Sequence, residues 1–281
     1  MKKLILILLS CLIFGRVRAQ ENCIPVLAHT EENLPYQSGE YAVYAMRYVC
    51  GIINSDVAKA TVRLDTVRVG GQKCFHCSVF GKTAGIYKLL FNIKEDFQSW
   101  FTCDGVRPVR FMRDTYECGY VAKNEYNYVW DSDQPYIDAS VYTTAIDSTR
   151  HLNIPLKACT FDLPSLYYNA RSIDMSKVEQ DKRYPMTFAI DDEVYDVYYI
   201  YKGKEMLKIK GIGTVPTLHF QAKLLAGEVF KGDQDMDIYV SDDLNRVPLF
   251  FSAKIAVGMA EGRLLEYGGL KYSASWEKDK K

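Results

Sequence analysis

The chain has 281 residues, 48% of them apolar, with 35 basic and 35 acidic side chains. This composition excludes a disordered chain. The neutrality hides an asymmetry: residues 1–19 hold Lys2, Lys3, Arg16 and Arg18 and no acid, so the remainder carries 31 basic against 35 acidic groups, a net −4. That net charge argues against nonspecific binding to nucleic acid or to an anionic membrane.

Lys2 and Lys3 precede an apolar run, Leu4 to Phe14, broken only by Ser10. A membrane-spanning helix needs about 20 apolar residues, so this run is too short. Val17-Arg18-Ala19 places modest residues before a cut between Ala19 and Gln20, and residues 1–19 read as a cleaved secretory signal. Lipoprotein processing at Cys11 is the rival; the bulky Leu9 and the apolar run past Cys11 weigh against it. No later segment approaches spanning length. The expectation is an exported protein of the periplasm or cell envelope, without a transmembrane segment in the mature chain.

Seven cysteines follow the signal: Cys23, Cys50, Cys74, Cys77, Cys103, Cys118 and Cys159. An odd number leaves at least one thiol unpaired within the chain, and the pairing is not readable from sequence. Cys74-Phe75-His76-Cys77 has redox or zinc spacing, but its flanks read as strand, where the two thiols point to opposite faces. Two half-buried strand cysteines are expected there.

After a polar lead (20–35) the strand signals begin. Glu40 to Cys50 is rich in Tyr, Val and Met. Val57 to Val69 alternates, as a strand with one wet side does. Gly70-Gly71 turns the chain into Lys73 to Phe80. Tyr87 to Ile93 is a short apolar run of undecided type. Phe97 to Cys103 meets Val106 to Arg113 across Asp104-Gly105, the strongest hairpin signal. Tyr116 to Trp130 and Tyr136 to Ala145 are weaker strands. Asp162 can cap one helix, with Pro164 in its first turn and Leu163, Leu166, Tyr167, Ala170 and Ile173 as its expected buried stripe. Strands resume at Met186–Ile190, Glu193–Lys202, Glu205–Gly211, His219–Leu225, Asp237–Val240, Val247–Lys254 and Arg263–Leu270, before a charged tail (273–281).

This pattern predicts an all-β fold with one main helix, an antiparallel β-barrel-like, open half-barrel or two-sheet architecture of roughly a dozen strands in one domain, 36–272. Tyr195, Val197, Tyr199 and Tyr201 share one strand face, and Val194, Tyr198 and Ile200 the other. A strand apolar on both faces is covered on both sides or lines an enclosed space: an aromatic barrel interior, able to hold apolar ligands, or a filled core.

Three motifs stand in order along the chain: Gly39-Glu40 opening a strand, Asp162, Ser165, Tyr168 and Arg171 on the helix, and Tyr239-Val240-Ser241-Asp242-Asp243 running to Arg246-Val247-Pro248. Together they resemble the bacterial envelope proteins grouped as domain of unknown function 3108, over about Tyr36 to Leu270. The resemblance implies an exported β protein and no particular activity. A looser similarity is to envelope lipoprotein carriers, whose open β-barrels hold an acyl chain, an analogy of fold only.

Glu40, Asp162, Ser165, Tyr168, Arg171, Ser241, Asp243 and Arg246 are the candidate binding or structural cluster, joining helix to hairpin, with structural pairing the leading reading. Asp104 to Pro108 and Asp243 to Pro248 share a layout, as a degenerate repeat or as two ordinary turns. Asp233, Asp235 and Asp237 resemble a calcium loop, but Ile238 and Leu244 stand where Gly and Glu belong. Gly81-Lys82-Thr83 lacks the first glycine of a phosphate loop, and neither a nucleophile elbow nor a zinc-protease helix occurs. The sequence points to no cofactor, metal or catalytic residue. The expected function is noncatalytic, binding an apolar or amphipathic ligand or an envelope partner; the alternatives are a hydrolase-like enzyme using the Asp/Ser/Arg cluster and a purely structural component. N-terminal sequencing of the exported protein is expected to begin at Gln20; any other start overturns the cleavage assignment.

Overall fold

The computed structural model describes residues 30–90, 92–223, 235–255 and 257–276. Cys11, the Ala19–Gln20 junction, Cys23, His29 and Asp233 lie outside them. Fifteen strands form one sheet: β1 (Glu40–Cys50), β2 (Ile53–Val69), β3 (Gln72–Thr83), β4 (Ile93–Thr102), β5 (Pro108–Glu117), β6 (Tyr120–Val129), β7 (Tyr136–Thr143), β8 (Ser148–Pro155), β9 (Thr160–Phe161), β10 (Arg183–Ile190), β11 (Glu193–Ile209), β12 (Gly213–Lys223), β13 (Asp235–Ser241), β14 (Pro248–Lys254) and β15 (Met259–Gly268). Among the described residues a single α-helix, α1 (Leu163–Arg171), lies between β9 and β10.

The strands run in the order β8 to β1 and then β15 down to β9. Sequence neighbours pair as antiparallel hairpins, and β1 joins β15 antiparallel, from Tyr41 opposite Gly268 to Val49 opposite Met259. Only β9 runs parallel to its neighbour, pairing Thr160 and Phe161 with Thr187 and Phe188. The two ends of the sheet then approach each other. Ala189 of β10 packs among Phe111, Tyr126, Ile137 and Val141 of β5–β7. Arg113 Nη1 reaches Asp191 Oδ1 at 2.9 Å, and Arg150 Nη1 reaches Asp192 Oδ2 at 2.9 Å. The Tyr126 hydroxyl donates to the Asp191 carbonyl at 2.6 Å. Side chains, rather than a backbone ladder, tie β5, β6 and β8 to the β10–β11 turn and give the sheet its barrel-like curl.

The concave face holds the core. Alternation along each strand brings Tyr44, Leu64, Phe75, Cys77, Phe101 and Leu264 into one cluster, each at most 3% exposed. Burying such side chains stabilises by about 1.5–3 kcal/mol each relative to exposure. Both faces of the first half of β11 are covered: Val197, Tyr199 and Ile200 are buried, and Asp196 alone of residues 194–201 is exposed.

Several expectations shift. The all-β fold with one main helix is as expected, and the sheet has fifteen strands where roughly a dozen were expected. β8 and β9 escape the sequence reading because they are polar or very short. Glu193–Lys202 and Glu205–Gly211 are one strand, interrupted only where its register against β12 shifts between Tyr201 and Gly203. Tyr87–Ile93 divides between a 3-10 turn, Gly85–Leu89, and the start of β4. Cys74 and Cys77 are fully buried rather than half-buried. The expected lead and tail contribute to the core, since Leu34, Ala274 and Trp276 pack in the main cluster. The helix also turns a different face inward. Leu163 and Ala170 are exposed, while Pro164, Ser165, Tyr168, Asn169 and Arg171 are buried. Of the expected apolar stripe Ile173 is buried and Leu166 and Tyr167 are half-buried, and the rest of the inward face is largely polar because Asp162 and Arg171 find partners on the sheet.

Candidate functional site

Helix α1 is nine residues long, too short to persist alone. Its N-terminus is closed by a capping box: the Asp162 carboxylate accepts from the Ser165 N–H at 3.0 Å, and the Ser165 hydroxyl accepts from the Asp162 N–H at 3.0 Å. Such a cap is worth about 0.5–2 kcal/mol. Asp162 also accepts from the Tyr128 hydroxyl of β6 at 3.2 Å, which fixes the helix start against the sheet. Burial pushes the Asp162 carboxyl up to about 6, against the hydrogen bonds from Ser165.

The other end is held by charge. Arg171 and Glu40, at the start of β1, form a bidentate pair through Nη1–Oε1 and, at 2.9 Å, Nη2–Oε2. Their side chains are 0% and 3% exposed. Arg171 also donates from Nε to the Asn245 carbonyl at 3.1 Å. The rings of Tyr36, Tyr167 and Tyr168 surround the guanidinium, with centroids 5.3, 5.6 and 5.3 Å away. Burial opposes the Arg171 charge, and the Glu40 carboxylate more than offsets it. This geometry supplies what a buried ion pair needs to be tolerated: two-point contact, further hydrogen bonds and polarizable faces.

Asn245 belongs to the β13–β14 turn, which is organised by Asp243. Its Oδ1 accepts from the Ser241 hydroxyl at 2.8 Å and from the N–H groups of Asn245 and Arg246 at 3.0 and 3.1 Å. Arg246 holds a left-handed backbone, φ 49°, and its guanidinium donates to the Ile173 carbonyl just past the helix. The Asn245 side chain clasps the C-terminal segment, donating to the Tyr272 carbonyl at 3.0 Å and accepting its N–H at 2.9 Å.

All eight candidate residues thus lie along α1 and its anchors, in two groups. Asp162 and Ser165 form the N-terminal group. Glu40, Arg171, Ser241, Asp243 and Arg246 gather at the C-terminal end, and Tyr168 lies beneath Arg171 between them. Asp242 stands apart, paired with exposed Lys204 at 2.8 Å. Asn245, Tyr36, Tyr128 and Tyr167 are the participants that sequence reasoning missed. Asn245 could have been noticed as an Asn between Asp243 and Arg246; the tyrosines carry no local signal.

The remaining motifs separate in space. Asp237 accepts from His219 Nε2 at 2.8 Å and from Gln221, and Asp235 accepts from the Tyr198 hydroxyl, so neither faces a common ion. Among the described residues no group of three or more His, Cys, Asp or Glu is placed to hold a metal. Gly81-Lys82-Thr83 lies within β3 rather than in a loop. His76 stacks on Trp100, with ring centroids 4.6 Å apart. The turns after β4 and β13 are built alike: the Thr102 and Ser241 hydroxyls accept from the N–H before Pro108 and Pro248, at 3.0 and 2.9 Å, and Val106 and Arg246 both have positive φ.

A second raised carboxyl lies on β4. Burial pushes Glu95 up to about 7, against the hydrogen bond from Thr115 of β5 and with the neighbouring Glu117 adding to the rise.

A family model described as "Protein of unknown function (DUF3108)" matches residues 40–264. Among solved structures, the chain is similar to the crystal structure of a beta-barrel-like protein of domain of unknown function DUF1849 from Brucella abortus, with 8% identity, a TM-score of 0.54 and coverage of 83% of this chain and 98% of that one. At that identity the likeness is one of fold. No curated protein matches the chain.

Arg171→Ala or Glu40→Ala strands a buried ion, and each is expected to lower stability by about 3–5 kcal/mol in denaturant titrations; Arg171→Lys recovers only part, because an ammonium lacks the two-point contact. For pH, folding takes up protons at Asp162 and Glu95, whose carboxyls are raised from 3.8 to about 6 and from 4.5 to about 7. Their stabilising contribution is therefore full in acid and is lost as pH rises through those values. Urea midpoints measured across this range are expected to fall with rising pH at these two sites, and Glu95→Gln to flatten the upper part of that slope; an unchanged slope removes Glu95 from the account.

Proposed function

The chain belongs to the DUF3108 family, and we propose that it is a noncatalytic, exported protein of the cell envelope that holds an apolar or amphipathic ligand against the open end of its concave face. The observation that carries this reading is the uneven closure of that face. Around α1 the side chains are sealed. Toward the other end, Met46 of β1, Ala60 of β2, Val79 of β3, Phe220 of β12, Ile238 of β13 and Phe251 of β14 are only half-buried. Register keeps the last three on one side, since Ile238 lies opposite both Phe220 and Phe251. Phe251 lies over Gly262, where any Cβ would meet its ring, so this wall is shaped as well as apolar. Water-accessible apolar surface on a concave wall is what an acyl chain covers favourably, at about 25 cal/mol per Å².

Export rests on the signal-like residues 1–19 and gains support from Cys159, which is disulfide-bonded; such bonds persist in oxidising compartments. The enzymatic alternative loses ground on access. Ser165, Asp162, Arg171 and Ser241 are at most 1% exposed, and each is committed to a structural hydrogen bond, so no substrate meets them without moving α1.

Native mass spectrometry of the protein extracted gently from its own membranes is expected to show a lipid-sized ligand, lost in Phe220→Asp. A bare polypeptide that also fails to take up a fluorescent fatty acid overturns the ligand reading and favours the structural one.

A further inference from the structure

The hairpin connectivity places the β1–β2, β3–β4, β5–β6, β7–β8, β10–β11 and β14–β15 turns at one end of the sheet. That end carries most of the exposed apolar side chains. Twelve large hydrophobic residues are exposed among the described residues, and eight belong to this rim. Ile52 (103%), Ile86 (73%), Leu89 (90%), Leu90 (68%), Ile146 (52%) and Val257 (62%) stand on or beside four separate turns, and Tyr116 and Tyr120 flank a fifth. The other four are Leu163 of α1, Met206 of β11, Leu244 of the β13–β14 turn and Tyr272 after β15, while the β2–β3 and β4–β5 turns at the opposite end are built on Gly70-Gly71 and Asp104-Gly105.

Charge singles out one sector of the same rim. Lys59 of β2, Lys82 of β3 and Lys94 of β4 lie directly opposite one another across the strands. All three are exposed. Like charges in register repel, and among the described residues no acid pairs with any of the three, while the nearby Asp56 is occupied by Arg263 at 2.7 Å. Lys88 and Lys254, also exposed, extend the basic sector beside Leu89 and Val257. Lys82 and Lys94 each lie 5.9 Å from the centroid of the Phe80 ring, a contact that leaves the three charges unneutralised; an anionic partner would neutralise them.

We propose that this rim docks on the surface of a bilayer containing anionic phospholipid. A protein partner would be expected to meet a contiguous apolar patch. Here single apolar side chains sit on separate turns around an end, flanked by tyrosines and backed by lysines. That is the arrangement of shallow insertion, in which apolar tips enter the acyl boundary, aromatic rings lie at headgroup depth and ammonium groups meet phosphates. The net charge of −4 is an average and does not describe this sector. The inference goes beyond the ligand reading and stands without it, although the half-buried concave wall opens toward the same end.

The test is co-sedimentation of the full mature chain with vesicles of phosphatidylcholine alone and of phosphatidylcholine mixed with phosphatidylglycerol. Binding to the mixed vesicles, weakened by salt, is expected. Ile52→Asp combined with Leu89→Asp is expected to reduce it by about tenfold or more. Lys59→Glu with Lys82→Glu is expected to abolish the preference for phosphatidylglycerol, and both variants keep the wild-type melting temperature or exceed it, because the altered side chains are exposed. Phe220→Asp, which removes the concave-wall ligand, is expected to bind vesicles as the wild type does, so the two proposals fail separately. A wild-type chain that stays off both vesicles, that binds them equally in all variants, or that instead self-associates through the same tips overturns the assignment.

Discussion

The pair between Glu40 and Arg171 is the interaction on which the rest of the architecture depends. It joins the first residue of the sheet to the last residue of the helix, and Arg171 extends the joint to the β13–β14 turn through the Asn245 carbonyl. Three distant parts of the chain thereby share one buried cation. A nine-residue helix with a largely polar buried face has little reason to rest on a sheet; the guanidinium, ringed by three tyrosines, supplies it. Because neither charge reaches water, the arrangement is stringent. Any shift that separates the pair leaves a desolvated ion, so α1 is either docked in this register or not docked. Asp162 performs the complementary task at the other end, where it closes the helix and meets Tyr128 of β6.

How far the sequence discloses this structure depends on how local each cause is. The helix start was legible, because Asp162, Pro164 and Ser165 act within one turn. The helix face was not. A periodic apolar stripe suggested Leu163 and Ala170, whereas the buried side is set by partners on β1, β6 and the β13–β14 turn, which no window around residue 167 contains. Hairpins with strong turn chemistry, such as Asp104-Gly105, could be read directly. Strand β8 could not, since its sequence is mostly polar and one of its neighbours is supplied by the seam. Trp276 falls in the expected charged tail for the same reason: its burial depends on the core, not on its neighbours in sequence. The grouping of Glu40, Arg171 and Arg246 was visible only through the ordered family motifs; their spacing alone carries no such information.

The seam is made differently from every other junction in the sheet. β8 and β9 are consecutive in the chain, yet they lie at the two ends of the strand order. Between them the sheet closes through Arg113, Arg150 and Lys157 on one side and Asp191, Asp192 and Asp196 on the other. These pairs lie at or near the surface, Lys157–Asp196 being the most exposed, and surface pairs contribute little individually, about 0–1 kcal/mol each. The buried cluster around Tyr126 and Ala189 therefore carries most of the closure, and the ion pairs set its alignment.

The β1–β15 junction has a consequence in time. Almost every other neighbour in the sheet is a hairpin whose strands are made one after the other, and such contacts form quickly. Of the fifteen strands β1 is made first, and its outer partner, β15, is made last. Until β15 arrives, β1 presents an unpaired edge whose Glu40 awaits both a helix and a turn that do not yet exist. The two halves of the sheet can each grow outward from local turns, but they become one object only when the final strand is in place. The order of assembly is thus written into the strand order: early edge, late clasp.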